Sequence, residues 1–126
     1  MTKKKILVVD DSATLRASVA YTLKAAGFET IQAVNGADGL EKLQHAHASG
    51  EAIGMIISDI NMPIMDGITF IREVKKTPFK FLPILVLTTE SQEDMKLKGK
   101  QAGASGWLVK PFKPDQLVYV TKKFMR

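Results

Sequence analysis

The 126 residues contain no cysteine, which excludes disulfides and thiolate metal sites but does not by itself place the protein in a compartment. No apolar run approaches the roughly 18 residues that a membrane-crossing helix needs. The basic N-terminus, Met1 to Lys5, leads into an apolar run too short for a signal peptide, with no small-residue cleavage site after it. A cytoplasmic protein without membrane attachment is the expectation. Phosphate-cradling loops of the GxGxxG or Walker type are missing, which argues against a nucleotide- or flavin-binding module. The net charge is +5, but the lysines are scattered apart from Lys3 to Lys5 and some density near the C-terminus. Aromatics make up 7% and do not interleave with the lysines as single-strand binding requires. The surface therefore reads as biased towards acidic partners rather than nucleic acid. His45 and His47 face different ways on a helix and are poor joint metal ligands; His47 reads as partly buried.

What is present is strand and helix alternating five times, with no repeat or linker, so residues 1–126 read as one domain. Ile6 to Val9, Ile53 to Ser58, Pro83 to Leu87 and Gly106 to Val109 are near-continuous apolar runs, the mark of strands buried on both faces. Phe28 to Val34 is a weaker fifth candidate. Between them, Leu15, Val19, Leu23 and Ala26 recur at helical spacing up to Gly27, with Ser12 as N-cap. Asn35 and Gly36 are expected to turn the chain into a helix carrying Leu40, Leu43 and His47 on one face. Asp66 is expected to cap a helix with Ile68, Ile71 and Val74 inward, ended by Thr77 and Pro78. Ser91 and Asp94 resemble a capping box for a helix running to Ala102. That helix has a thin apolar stripe of Met95, Leu97 and Ala102, and Gly99 interrupts it. Pro114 opens the last helix, with Leu117, Val120 or Thr121, and Phe124 inward. Right-handed crossovers then give an α/β doubly wound (βα)5 fold, flavodoxin-like, with a parallel sheet in order 2-1-3-4-5.

In such a sheet the residues just past each apolar run gather at one edge. Asp10 and Asp11 follow the first strand, Asp59 the third, Thr88 the fourth and Lys110 the fifth. Strands one and three are neighbours at the switch point, where ligands bind. Two carboxylates about 4 Å apart repel by roughly 4 kcal/mol at an effective dielectric near 20, so three of them either raise their pKa values or hold a cation. All-oxygen ligation suits Mg²⁺, with Mn²⁺ as a substitute. Phosphoryl transfer needs little more than such a site provides: a nucleophilic carboxylate in Asp59, acids to hold the metal in Asp10 and Asp11, a mobile ammonium in Lys110 and a hydroxyl in Thr88.

The segments KILVVDDS, SDINMPIMDG, ILVLTTE and GWLVKPF stand in the order and at the spacing of one family. The chain resembles, over essentially its whole length, the response-regulator receiver domain, and in particular the single-domain chemotaxis regulators of the CheY type. The resemblance implies that Asp59 takes a phosphoryl group from the phosphohistidine of a sensor histidine kinase. It implies Mg²⁺ bound by Asp10, Asp11, Asp59 and the backbone carbonyl of Asn61. Thr88 would move towards the aspartyl phosphate and let the aromatic side chain at 107 turn inward; Lys110 would pair with the phosphate, and Lys110–Pro111 would be cis. Asn61 and Glu90 stand at the positions that tune hydrolysis. Trp107 departs from the usual Tyr or Phe, being larger and able to donate only an N–H. Thr89 stands where a small residue is usual, and a narrower approach for water or phosphodonor there implies a longer phosphorylated lifetime.

These features make the expected protein a monomeric binding module that catalyses only its own phosphorylation and dephosphorylation, with a phosphatase as a further partner. Its output face would be the fourth helix, fifth strand and fifth helix, with Lys96, Lys98, Lys100, Trp107, Lys113 and Lys122, offered to an acidic target such as a flagellar motor switch protein. The alternative is a phosphorelay intermediate passing phosphate to a histidine phosphotransfer protein. A phosphatase with an aspartyl-phosphate intermediate fits poorly: it would carry its nucleophile after the first strand with a second Asp two residues on, whereas residue 61 is Asn.

Overall fold

The apolar runs become the strands of one parallel sheet, and the amphipathic stretches between them become its crossover helices. A computed structural model describes residues 4–125; Lys3 and Arg126, at the two basic ends, lie outside the described residues. The order is β1 (Lys5–Val9), α1 (Ala13–Ala25), β2 (Thr30–Ala33), α2 (Gly36–Ser49), β3 (Ile53–Ser58), α3 (Gly67–Val74), β4 (Ile84–Thr88), α4 (Glu93–Ala102), β5 (Gly106–Val109) and α5 (Pro114–Phe124). The five strands are parallel in the order β2-β1-β3-β4-β5.

The continuous apolar runs conceal a period of two. Leu7, Val9, Ile56, Ile84 and Val86 meet α2 and α3 on one face, while Ile6, Val8, Met55, Ile57, Leu85 and Leu87 meet α1 and α5 on the other. Each face has its own core, and Met95 and Ala102 of α4 join the first. Phe70, fully buried in α3, fills the centre of that face and closes on Gly39 of α2.

Helix starts are fixed by side chains. Ser12 Oγ accepts the Leu15 N–H at 3.2 Å, Asn35 Oδ1 the Asp38 N–H at 2.9 Å, and Asp66 Oδ1 the Thr69 N–H at 2.8 Å. Asn35 and Gly36 do turn the chain into α2, with Asn35 as its cap and Gly36 as its first residue. Several expectations change here. The second strand is confined to Thr30–Ala33, since only these residues pair with β1. The Ser91–Asp94 capping box does not form; α4 begins at Glu93, and the Gln92 N–H goes instead to Glu90 Oε1 at 3.2 Å. Leu97 points to solvent and is 55% exposed, because the face of α4 that meets the sheet is set by Gly99 and Met95. His47 is exposed too, although its ring meets Phe79 edge-on at 5.8 Å.

At the start of α2, Asp38 Oδ2 accepts the Val34 N–H at 2.9 Å and the carboxylate pairs with Lys42 at 3.1 Å. Burial alone would raise this carboxyl, but the Val34 N–H and the Lys42 ammonium together outweigh it and hold its pKa below the ordinary value. A depressed carboxyl stabilises the fold fully above its unfolded pKa and loses that contribution as pH falls through the folded value. Asp38→Ala is thus expected to cost about 1 kcal/mol at neutral pH, with the difference from the parent shrinking below pH ~4. Urea titrations across the acid range check this; a penalty that does not change with pH would show that the ionised carboxylate is not its source.

Candidate functional site

The site is built at the carboxyl ends of β1, β3, β4 and β5. Asp10 and Asp59 each follow a strand and continue its pairing: the Asp10 N–H bonds the Ala33 carbonyl at 3.1 Å and the Asp59 N–H the Val9 carbonyl at 3.0 Å. Backbone pairing thus fixes two carboxylates side by side across the β1–β3 boundary. Asp10 is 3% and Asp59 8% exposed, whereas Asp11 stands open to solvent. Each of the three offers a carboxylate oxygen, and these oxygens lie within 4.8 Å of one another.

Fixed donors hold part of each buried carboxylate. Asp10 Oδ1 accepts the Ser12 N–H at 2.8 Å, and Asp59 Oδ1 accepts the Ile60 N–H at 2.6 Å with the Asn61 N–H farther off at 3.4 Å. The remaining oxygens share one ammonium: Lys110 Nζ lies 3.0 Å from Asp10 Oδ2 and 3.3 Å from Asp59 Oδ2. Lys110 is aimed there by its own backbone, since its N–H bonds the Thr88 carbonyl at 2.8 Å. The following Lys110–Pro111 bond is cis. One ammonium does not balance three carboxylates. Burial, above all, raises the Asp10 pKa, the Asp59 charge adds to it, and the Ser12 N–H and Lys110 only partly offset it.

Gly67 lets this crowding occur. A Cβ at that position would run into the Asp59 carbonyl, to which Ser58 Oγ donates at 2.8 Å, while the Gly67 N–H bonds the Ile60 carbonyl at 2.8 Å. Its function is close backbone approach, a feature that the sequence signals only as a glycine after Asp66.

The other predicted residues are placed differently. Thr88 is fully buried and is the last residue of β4, and its Oγ1 accepts the Glu90 N–H at 3.2 Å. Trp107, half-buried on β5, donates its indole Nε1–H to the Glu90 carbonyl at 2.9 Å. The amide flanks of Glu90 are therefore held on one side by the Thr88 hydroxyl and on the other by the indole. Its carboxylate lies at the start of α4 on the Gln92 N–H rather than in the acidic cluster. Thr89 and Asn61 are exposed beside the site. Sequence reading missed Arg16, whose guanidinium donates to the Asp10 carbonyl at 2.6 Å and so braces the β1 end from α1.

The donor set is all oxygen and small, with an excess of negative charge, which fits a hard divalent cation such as Mg²⁺ and not a soft one.

The sequence pattern of the response regulator receiver domain matches residues 6–122. The chain belongs to the response-regulator receiver family. As a receiver domain it is a signalling module of two-component systems, and its fold is similar to that of CheY-type structures. The structure of the chemotaxis response regulator CheY4 of Vibrio cholerae superposes with a TM-score of 0.87 at 44% identity, covering 98% of this chain and 99% of that one. The chemotaxis protein CheY1 of Helicobacter pylori is 37% identical over 115 residues, 90% of each chain. The sensor histidine kinase CheAY of Helicobacter pylori is 35% identical over 96% of this receiver domain, which spans only 15% of that protein. The receiver domain likewise spans about half the length, 52%, of transcriptional regulators among its relatives. Among the described residues no helix is long and apolar enough to cross a membrane.

Proposed function

We propose that this receiver domain accepts a phosphoryl group on Asp59 from the phosphohistidine of a sensor histidine kinase and passes the signal on by docking. The observation that carries the reading is the shared ammonium: Lys110 Nζ reaches both Asp10 and Asp59 at the lip of the β1–β3 crevice. In the transfer, an Asp59 carboxylate oxygen attacks phosphorus, an O–P bond forms, the N–P bond breaks, and the imidazole nitrogen leaves with its electron pair. Asp59 is oriented for this by the Ile60 N–H on one oxygen, leaving Oδ2 towards Lys110. Lys110 then takes up charge on the transferred oxygens, and the Thr88 hydroxyl, now only accepting, has its proton free to donate to them. Asp10, Asp11, Asp59 and the Asn61 carbonyl would hold Mg²⁺, which when bound supplies charge neutralisation to the phosphoryl oxygens. Hydrolysis returns Asp59 as a carboxylate and releases inorganic phosphate, with Asn61, Thr89 and Glu90 around the approach of water.

The output surface is α4, β5 and α5. Exposed Lys98, Lys100, Lys113 and Lys122 and half-buried Lys96 lie along these elements, Lys96 and Lys100 beside Trp107, so an acidic segment is the fitting partner. The chemotaxis names of its relatives CheY4 and CheY1 make a flagellar motor switch protein the leading candidate target.

Incubation with radiolabelled acetyl phosphate tests the core of the reading. Uptake is expected with Mg²⁺, and is expected to fall to background when EDTA removes it and to return when Mg²⁺ or Mn²⁺ is restored. Labelling that is indifferent to EDTA would remove the metal from the proposal. Phosphate passed onward to a histidine phosphotransfer domain, with no binding of an acidic target in beryllofluoride, would favour the relay alternative instead.

A further inference from the structure

Helix α4 carries a glycine near its middle, where glycine in place of alanine lowers the folding equilibrium constant about five-fold. Its setting explains it. Gly99 is buried, and a Cβ there would lie 2.6 Å from Cζ3 and 3.2 Å from Cε3 of Trp107, closer than packed carbon atoms tolerate. The six-membered half of the indole fills the space that any side chain at 99 would need. The pyrrole half meanwhile donates to the Glu90 carbonyl at 2.9 Å. Beside the ring, a cleft of about 240 Å³ lined by Lys96, Lys100, Ala104, Ser105, Gly106 and Trp107 offers a second place for it.

We infer that Gly99 is a socket matched in size to the Trp107 indole, and that this pair, rather than the aromatic residue alone, sets where α4 and the Glu90 segment rest. A side chain at 99 drives the ring towards the cleft, breaks the Nε1–H···O bond and frees the Glu90 carbonyl. Glycine at 99 and tryptophan at 107 are thus one specification written at two positions. Only the signalling consequence rests on the reading of Trp107 as the output residue; the packing stands without it.

Trp107 is the chain's one tryptophan, so fluorescence excited beyond the absorption of the two tyrosines reports this site alone. Gly99→Ala is expected to shift the emission maximum to the red and raise acrylamide quenching. It is also expected to lower the folding equilibrium constant, although alanine is the better helix former. In a Trp107→Phe background, where the ring reaches less far, Gly99→Ala is expected to raise the constant by up to about five-fold, the helix-propensity gain. Unchanged emission in Gly99→Ala, or the same sign of stability change in both backgrounds, overturns the inference. If Gly99→Ala fails to fold, a folded Gly99→Ala/Trp107→Phe double variant supports it and an unfolded one overturns it. A separate arm adds beryllofluoride and Mg²⁺: a red shift in Gly99→Ala with no beryllofluoride response in the parent leaves the socket standing and sinks the phosphorylation reading.

Discussion

Asp59→Asn is expected to reduce phosphoryl uptake to background and, in the absence of Mg²⁺, to make the protein more stable. Asparagine keeps the size of the side chain, and its oxygen can still accept the Ile60 N–H that now bonds Asp59 Oδ1 at 2.6 Å. The nucleophile is lost, because an amide oxygen does not replace a carboxylate in attack on phosphorus. Stability moves the other way because Asp59 faces two like charges, Asp10 and Asp11, and one opposite charge, Lys110 at 3.3 Å. A single pair at about 4 Å is bounded by roughly 4 kcal/mol, but the pairs partly cancel and Asp11 is exposed and screened. A net gain of about 1 kcal/mol remains, worth roughly 3–5 °C in Tm. Asp10, raised by burial first and by the Asp59 charge in addition, should move back towards the ordinary carboxylate value in the variant. Saturating Mg²⁺ reverses the ranking: at a hundred times Kd a ligand adds about 2.7 kcal/mol, and the variant has lost part of the site. Thermal melts with and without Mg²⁺, run beside the labelling assay, check both halves. Label uptake at the parent's level would put the acceptor elsewhere, and an unchanged order of melting temperatures would remove the repulsion from the account.

Gly67→Ala should be the most damaging single methyl in the site. The added Cβ runs into the Asp59 carbonyl, and neither partner can yield cheaply. That carbonyl is held by the Ser58 hydroxyl at 2.8 Å, and Gly67 is tied to the Ile60 carbonyl at 2.8 Å. Just beyond, Phe70 and Ile71 anchor α3 in the core without exposed surface. Relief therefore demands that the start of α3 lift from the sheet. Overpacking of this kind costs about 1–3 kcal/mol, and the upper end applies where backbone meets backbone. A loss of roughly 10 °C in Tm follows. Since the displaced peptide belongs to Asp59, labelling should fall as well, unlike the case of an equally destabilising change on the far face of the sheet. Denaturant melts with a labelling rate measured well below Tm separate the two effects. A variant with the parent's midpoint would show that α3 has slack here.

The fold was legible because burial on both faces leaves a loud pattern. Ile53–Ser58, Gly106–Val109 and the helix from Pro114 were readable to the residue, since apolar runs and a proline at a first helical turn are local signals. Thr88 was readable as part of the cluster but not as the buried end of β4, because a hydroxyl at a strand end looks the same whether or not the ladder includes it. The start of α4 differs from the expectation: Ser91 and Asp94 have capping chemistry, yet the helix begins at Glu93 with no side-chain cap, and the Gln92 N–H goes to Glu90. The clustered acids Asp10, Asp11 and Asp59 were visible because parallel topology alone brings strand ends together. What could not be seen depends on partners distant in sequence. Gly99 reads as an interruption of a helix with a thin apolar stripe until Trp107 is placed beneath it, and Gly67 shows its role only once the Asp59 carbonyl is beside it. Arg16 gave no sign at all, since its partner is a backbone oxygen.

The grip on Glu90, by the Thr88 hydroxyl on one flank and the indole on the other, has a consequence for how the molecule behaves in brine. On the proposed function, the signal from the crevice would travel by contact through these two hydrogen bonds, while recognition at the lysine-rich face would act at a distance and weaken as the Debye length shrinks. Concentrated salt should therefore leave the domain able to change shape and yet unheard, a receiver still tuned with its loudspeaker disconnected.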